Sequence, residues 1–326
     1  MKASHQRKLM SELVSVLVLC YNHEKFVKDC LKSVYSQTYD NMELLILDNG
    51  SHDASVKEIE SVIAENAKKP YRIEFIRNAE NAGISKGLNQ MLRLAKGEYI
   101  KLISSDDMLD IEAIQNLVEC FKCNPDCSLI VGNGYNVNEN YRFGEEPQKY
   151  NGRLLYEKQP DFSGDYMLRL LERDNIAAPA VMLKREVFAR FGYFNEEMVY
   201  EDWEYWLRIV KAGGKIGYCN HTVVFYRRSP QAVTYMQKGD RETEEKLSNY
   251  YRHNMDILKL YGDCVTKEEL EGIYGRIYEK YIQKGLELAC PKLVKMIFRE
   301  MKQKKLPISW KSRIKYVLSC CGLYYK

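Results

Sequence analysis

Residues 14–22 read V-S-V-L-V-L-C-Y-N. A strand with one solvated face alternates apolar and polar residues, and this one does not. Val14 to Cys20 is therefore read as buried on both faces, which requires helical cover on each side of its sheet. Downstream, Lys25–Ser36 carries Phe26, Val27, Leu31, Val34 and Tyr35 at helical spacing. The alternation continues with a strand over Glu43–Leu47 and a helix over Asp53–Lys68, capped by Ser51 or Asp53. Then come a strand over Arg72–Ile76, a helix over Ile84–Ala95 stopped by Gly97, a strand over Glu98–Ile103 and a helix over Ile111–Cys123. Strands and helices alternating at these lengths predict βαβ units, with a mostly parallel sheet and helices on both faces.

In such sheets ligands bind beyond the carboxyl ends of the strands. Tyr21 and Asn22 follow the first strand, and Asp48, Asn49, Gly50 and Ser51 the second. Arg77, Asn78 and Asn81 follow the third, and Ser104, Ser105, Asp106 and Asp107 the fourth. Four polar clusters are thus expected on one edge. The first turn, C-Y-N-H-E-K, has no glycine, and no Walker A loop is present. The only G-x-G, Gly132 and Gly134, lacks a third glycine. Phosphate held by a glycine-rich cradle is excluded.

Asp106-Asp107 offers two hard oxygen ligands, suited to Mg²⁺ or Mn²⁺ bridging a diphosphate. The alternative is a cap for a helix starting near Leu109. Asp48 suits a ribose hydroxyl or a base N–H, and Tyr21 a stacking or packing role. Farther along, V-Y-E-D-W-E-Y-W at 199–206 opens a helix running to about Ala212. Glu201 and Asp202 fall in its first turn, either as charges favoured by the helix dipole or as a general base.

The 326 residues are 45% hydrophobic and 29% charged, ample for a core and against disorder. No apolar run is long enough to span a membrane. From Pro291 to Lys326 ten basic residues face one acid, Glu300, leaving the rest slightly acidic. That distribution does not suit nucleic acid. A basic tail with Leu293, Met296, Ile297, Met301, Ile308, Trp310, Ile314, Val317 and Leu318 interleaved suits peripheral contact with the inner membrane face. Packing on the protein itself or in a homodimer is the alternative.

Cys20, Cys30 and Cys219, within apolar runs, read as buried free thiols of a reducing cytoplasm. Cys120, Cys123 and Cys127 lack the fourth ligand of a metal knuckle. Neither residue of Cys320-Cys321 lies in a prenylation box. Lys2, Arg7 and Lys8 ahead of an apolar run mimic a signal peptide, but no small-residue cleavage site follows. A cytoplasmic protein of two parts is expected, 1–239 catalytic and 240–326 helical, with helices over Glu242–Tyr261 and Thr266–Gln283.

Together these pieces resemble the inverting, GT-A-fold glycosyltransferases of family 2 over roughly residues 12–235. The resemblance is carried, in order, by V-S-V-L-V-L-C-Y-N at 14–22 and S-V-Y-S-Q-T-Y at 33–39. L-D-N-G-S at 47–51, N-A-G-I-S-K-G-L-N at 81–89, G-E-Y-I-K-L-I-S-S-D-D at 97–107 and E-D-W at 201–203 follow. It implies a Rossmann-like GT-A sheet and transfer of a sugar from a nucleotide-diphosphate donor, UDP by family frequency. The acceptor would be a glycan or lipid-linked hydroxyl, in bacterial surface polysaccharide synthesis.

The resemblance also implies that Tyr21, Asn22 and Asp48 hold the nucleoside, and that Asn81 and Lys86 line the donor site. Asp106 would contact both donor and metal, Asp107 would bind the metal, and Asp202, with Glu201 beside it, would be the base. Three departures stand out. Ser104 replaces the first Asp of a D-x-D-D motif. Asn49 replaces the second Asp of a D-D-G-S turn. Ser229 follows Tyr226-Arg227-Arg228, near where many members carry histidine, while His221 lies in a strand-like stretch. Arg227 or Arg228 remains a candidate for a donor phosphate. The competing readings are a non-catalytic nucleotide-sugar-binding scaffold and a nucleotidyltransferase, the latter disfavoured by the missing glycine-rich loop.

Overall fold

The computed structural model describes residues 12–69, 71–150, 152–198, 201–229, 236–304 and Val317. Lys2, Arg7, Lys8, Val199, Tyr200 and the tail residues Ile308, Trp310, Ile314, Leu318, Cys320 and Cys321 lie outside that set. The described chain forms two compact units.

In the first unit, β1 (Val14–Cys20) has Val14, Val16, Leu17, Val18 and Cys20 fully buried, as the unbroken apolar run requires. β2 (Met42–Asp48) is buried throughout, and β3 (Ile73–Arg77) and β4 (Tyr99–Ser104) complete a parallel set in the order β3-β2-β1-β4. Between them run α1 (Val27–Tyr35), α2 (Ser55–Glu65) and α3 (Ile84–Leu94). Neither Ser51 nor Asp53 is the N-cap of α2, which is Ala54, although Asp53 Oδ1 accepts the backbone N–H of Ser55 at 2.9 Å.

Beyond β4 the sheet changes character. β5 (Met108–Leu109) follows after three residues and α4 spans Ala113–Cys123. β6 is Cys127–Asn138, β7 Arg153–Leu154, β8 Val181–Lys184 and β9 Lys215–Arg228. β8 is antiparallel to both β4 and β6, β9 is parallel to β6, and β5 pairs antiparallel with β9. The sheet order β4-β8-β6-β9-β5 thus starts and ends within one turn of chain, so the sheet curls until β5 is back beside the end of β4.

Of three register shifts between β6 and β9, two, at Gly132/Asn133 and Asn133/Gly134, fall at mid-strand. They also explain the G-x-G. A Cβ on Gly132 would lie 2.3 Å from Val223 Cγ2, and one on Gly134 2.2 Å from the Val224 carbonyl oxygen. These glycines let two strands approach closely. The remaining helices of this unit are α6 (Glu186–Phe191) and α7 (Glu201–Lys211); α5 (Tyr166–Glu172) belongs to the second unit.

That second unit gathers α5 with α8 (Arg241–Tyr261), α9 (Lys267–Glu287) and α10 (Pro291–Gln303). Asp240 caps α8, a Thr266/Glu269 capping box opens α9, and Pro291 opens α10. Here the expectation for the tail is corrected over its first part. Leu293, Val294, Ile297, Phe298 and Met301 of α10 are buried, so that apolar stripe packs on protein and is withdrawn from any lipid surface. The hydroxyls of Tyr251 and Tyr278 and the Lys304 ammonium converge on Glu300, fixing α10 to α8 and α9. Among the described residues no helix is long and apolar enough to cross a membrane.

Candidate active site

The carboxyl ends of β1 and β2 build one flank. Asp48, the last residue of β2, is 2% exposed, and its Oδ2 accepts the Ser51 N–H at 3.0 Å. Its Oδ1 is buried with no hydrogen-bond partner among the described residues. Next to it Asn49 is saturated. Its Nδ2 donates to Asn81 Oδ1 and to the Gly83 carbonyl, and its Oδ1 accepts from Asn78 Nδ2 and Ala82 N–H. Only an amide both donates and accepts in this way, so the Asn49 departure is a latch for the 78–83 loop. Gly50 has φ +79°, and a Cβ there would lie 2.5 Å from the Glu80 backbone carbon.

Asn22 adopts φ +54°, with its N–H on Ser51 Oγ and its Oδ1 accepting from His52 N–H. The Tyr21 ring is 37% exposed, and Lys86 is exposed in the first turn of α3.

The second flank is the turn between β4 and β5. The Asp107 N–H closes it on the Ser104 carbonyl at 3.0 Å. Since β5 intervenes before α4 begins at Ala113, the aspartates cap no helix. Ser104 donates its hydroxyl to Asp106 Oδ1 at 2.5 Å, so the residue in place of the missing Asp orients the next one. Asp107 is 1% exposed; its Oδ1 accepts the Arg227 backbone N–H at 2.8 Å, and its Oδ2 is buried without a partner among the described residues. Burial, then the charge of Asp106, pushes the Asp107 carboxyl well above the usual carboxylate range, with Arg227 pulling the other way.

Three contributors were not singled out from the sequence. His23 Nδ1 lies 2.8 Å from Ser105 Oγ and 3.9 Å from Asp106 Oδ1, reaching the turn from the end of β1. Lys101 is fully buried in β4, its ammonium donating to the carbonyls of Val181, Leu102 and Pro179. Desolvation lowers its pKa to about 7, with the Asp107 charge opposing. Tyr226, a residue of β9, has its hydroxyl pushed up to about 12, first by burial and then by the charges of Asp107, Asp106 and Asp202. Only long-range packing brings these groups together, and no local pattern signals it.

The Asp202 charge is the weakest of the three that raise Tyr226. Glu201 and Asp202 open the described part of α7, with Asp202 Oδ1 accepting the Trp203 N–H at 2.8 Å. Burial and the neighbouring Asp202 charge raise Glu201 to about 8, and burial raises Asp202 as well.

The expectation for Arg227 is corrected. Its side chain is 1% exposed and its guanidinium is spent on backbone carbonyls, so it does not reach outward to a phosphate. Arg228 is exposed, with Nε on Asn136 Oδ1 and its guanidinium over the Tyr226 ring at 3.9 Å. His221 is exposed on β9. Cys20, Cys30 and Cys219 are buried free thiols, and among the described residues no group of three or more His, Cys, Asp or Glu is arranged to hold a metal by itself.

The family model for glycosyl transferase family 2 matches residues 15–191. Over 243 residues the chain is 25% identical to the uncharacterized glycosyltransferase MJ1057 of Methanocaldococcus jannaschii, covering 73% of this chain and 77% of that protein. It is 27% identical over 209 residues to the poly-beta-1,6-N-acetyl-D-glucosamine synthase of Staphylococcus epidermidis, covering 62% of this chain and 46% of that protein. Among solved structures, S. aureus TarS residues 1–349 with UDP-GlcNAc superposes with a TM-score of 0.55 at 15% identity, covering 96% of this chain and 93% of that one. The mannosyltransferase PcManGT of Pyrobaculum calidifontis with GDP-Man and Mn²⁺ also gives 0.55, at 16% identity, covering 99% and 87%. At those identities the likeness establishes the fold, which is GT-A.

Proposed function

This chain belongs to glycosyl transferase family 2, and from that we propose that it moves a sugar from a nucleoside diphosphate donor to an acceptor hydroxyl, inverting the anomeric carbon. The observation that carries this reading is a pair of buried, unpartnered carboxylate oxygens, Asp48 Oδ1 and Asp107 Oδ2, in turns at the carboxyl ends of β2 and β4. An orphaned buried acceptor is costly unless a ligand completes it. Asp48 suits a ribose hydroxyl or base N–H, with Tyr21 as a stacking surface and Asn22, Asn81 and Lys86 alongside. UDP-GlcNAc and GDP-Man bound to structural neighbours support a nucleotide-sugar donor.

Asp106 and Asp107 fit Mg²⁺ or Mn²⁺. Two hard carboxylates, one with a free buried oxygen, suffice where substrate phosphates complete the shell. The chemistry supplied there is neutralisation of charge on the departing diphosphate. Asp202 takes the proton of the acceptor hydroxyl. That oxygen then bonds to the anomeric carbon from the face opposite the diphosphate, and the electrons of the breaking C–O bond leave with the diphosphate. Burial raises the proton affinity of Asp202 and, with the Asp202 charge, that of Glu201 beside it. Surface polysaccharide is the proposed product, supported by the poly-N-acetylglucosamine synthase among the relatives, and the cytoplasmic side of the membrane is the proposed place of work.

The test is thermal unfolding with UDP, GDP, dTDP and CMP, each with and without Mn²⁺. Ligand at about 100 times its dissociation constant stabilises by about 2.7 kcal/mol. A shift with one nucleotide that requires Mn²⁺ identifies the donor class. Absence of any shift overturns the donor site, and binding without release of nucleoside diphosphate points to a non-catalytic scaffold.

A further inference from the structure

Arg227 is a buried cation whose guanidinium meets several backbone carbonyls. Its Nε donates to the Asp106 carbonyl at 2.8 Å. Its Nη1 faces the carbonyls of Tyr141, Glu139 and Asn138 at 2.8, 3.0 and 3.3 Å, and its Nη2 lies 3.5 Å from Met108 Sδ. The guanidinium also lies 4.7 Å from the centre of the Phe26 ring. Its own backbone N–H holds Asp107 Oδ1. A guanidinium removed from water is tolerated only when its donors are met, and here they are met by two segments far apart in sequence. One is the carboxylate turn, through the Asp106 carbonyl. The other is the chain leaving β6, from Asn138 to Tyr141.

The placement gives this bridge a purpose. β6 and β9 are parallel, so both end at the same edge of the sheet, with Val137 and Asn138 paired to Arg227 and Arg228. In the sheet order the nucleoside flank, β3-β2-β1, lies on one side of β4, and β6-β9-β5 lies on the other. The segment from 138 onward therefore borders the aspartates on the flank that the nucleoside leaves free. It is packed there: Tyr141 is fully buried against Phe225 and Tyr150, and Arg142 donates to the Glu139 and Tyr141 carbonyls.

We infer that Arg227 is a positioning residue that locks the Asp106–Asp107 turn and the 138–141 backbone into one unit, so that the carboxylates are aimed by the opposite flank of the site. This rests on the proposed donor site for its consequence, though not for the lock itself. Lysine is the informative replacement, because it keeps the charge and stem and loses the planar fork of donors.

The experiment compares hydrogen exchange and Mn²⁺ titration in wild type, Arg227→Lys and Arg142→Lys. Arg227→Lys is expected to speed amide exchange in both 105–109 and 138–142. It should also raise the Mn²⁺ concentration for half-maximal nucleotide-induced stabilisation by about tenfold, the scale of one or two lost charged hydrogen bonds. Arg142→Lys should loosen 138–142 alone and leave the Mn²⁺ midpoint unchanged. Faster exchange in one segment only, or an unchanged Mn²⁺ midpoint in Arg227→Lys, overturns the inference. If wild type shows no Mn²⁺-dependent nucleotide shift, the donor reading fails while the exchange arm still decides the lock. Should Arg227→Lys not fold, exchange of wild type in sub-denaturing urea replaces it: the two segments must open with the same denaturant dependence, and separate openings refute the lock.

Discussion

Asn49 Nδ2 donates to Asn81 Oδ1 at 2.9 Å, joining the end of β2 to the loop that leads into α3. With its other three bonds, this makes Asn49 the knot of the proposed donor flank. Asn49→Asp would turn a donor into a second acceptor facing the Asn81 and Gly83 oxygens at a site 2% exposed. The expected cost is about 2–4 kcal/mol in urea unfolding. A change within about 0.5 kcal/mol, the scale of an ordinary surface substitution, would show that the latch contributes nothing.

Asp107→Asn tests whether the carboxylate is kept for a ligand rather than for the fold. Its charge is buried beside Asp106, and the amide oxygen of asparagine still accepts the Arg227 N–H. The variant should therefore be more stable alone, by about 1 kcal/mol or more near neutral pH, and should lose the Mn²⁺-dependent nucleotide shift. A variant less stable than wild type that keeps the shift contradicts both halves.

Glu201 gives a pH signature. Its pKa is raised from 4.5 to about 8 by burial and Asp202. Across that window the folded protein holds a proton that the unfolded chain has released, so stability must fall as pH rises from 4.5 to about 8. Glu201→Gln should flatten this part of the melting temperature–pH curve. Parallel curves for the two proteins would mean the carboxyl titrates normally.

Asp202→Asn should cut turnover by about 10²- to 10⁴-fold, the usual contribution of a general base, while nucleotide binding stays close to wild type. Because burial raises Asp202, wild-type turnover should climb with pH as the carboxyl ionises. Near-native turnover in the variant, or weakened nucleotide binding, assigns Asp202 elsewhere.

Gly134→Ala probes the curl of the sheet. Its Cβ would sit 2.2 Å from the Val224 carbonyl oxygen, which is backbone and cannot swing aside. A loss of about 3 kcal/mol or more is expected in thermal unfolding. Native stability would mean that β6 and β9 approach less closely than described.

The first half of the fold was legible because each βα unit there advertises its own burial. Val14–Cys20 and Met42–Asp48 bury both faces, so their apolar runs need no distant partner to be recognised. The polar residues ending those strands follow from parallel topology alone, which is why Asp48 and Asp106-Asp107 were nameable from the chain. Elsewhere local pattern misleads. The tail's apolar stripe looks interfacial, and only packing in the second unit shows Leu293, Ile297 and Met301 already covered.

The amino-acid sequence by itself determined the family, the parallel βαβ core and the carboxylates at its edge, since periodicity and short motifs are local properties. Tertiary structure alone decided the rest. β5 is two residues long and finds its partner over a hundred residues away, on a strand whose pairing carries three register shifts. That pairing puts Tyr226 and Arg227 beside the aspartates, and burial then turns an arginine that reads as a phosphate ligand into one that binds backbone. Nothing in the sequence distinguishes the two roles. They differ only in whether water or carbonyl oxygens surround the guanidinium.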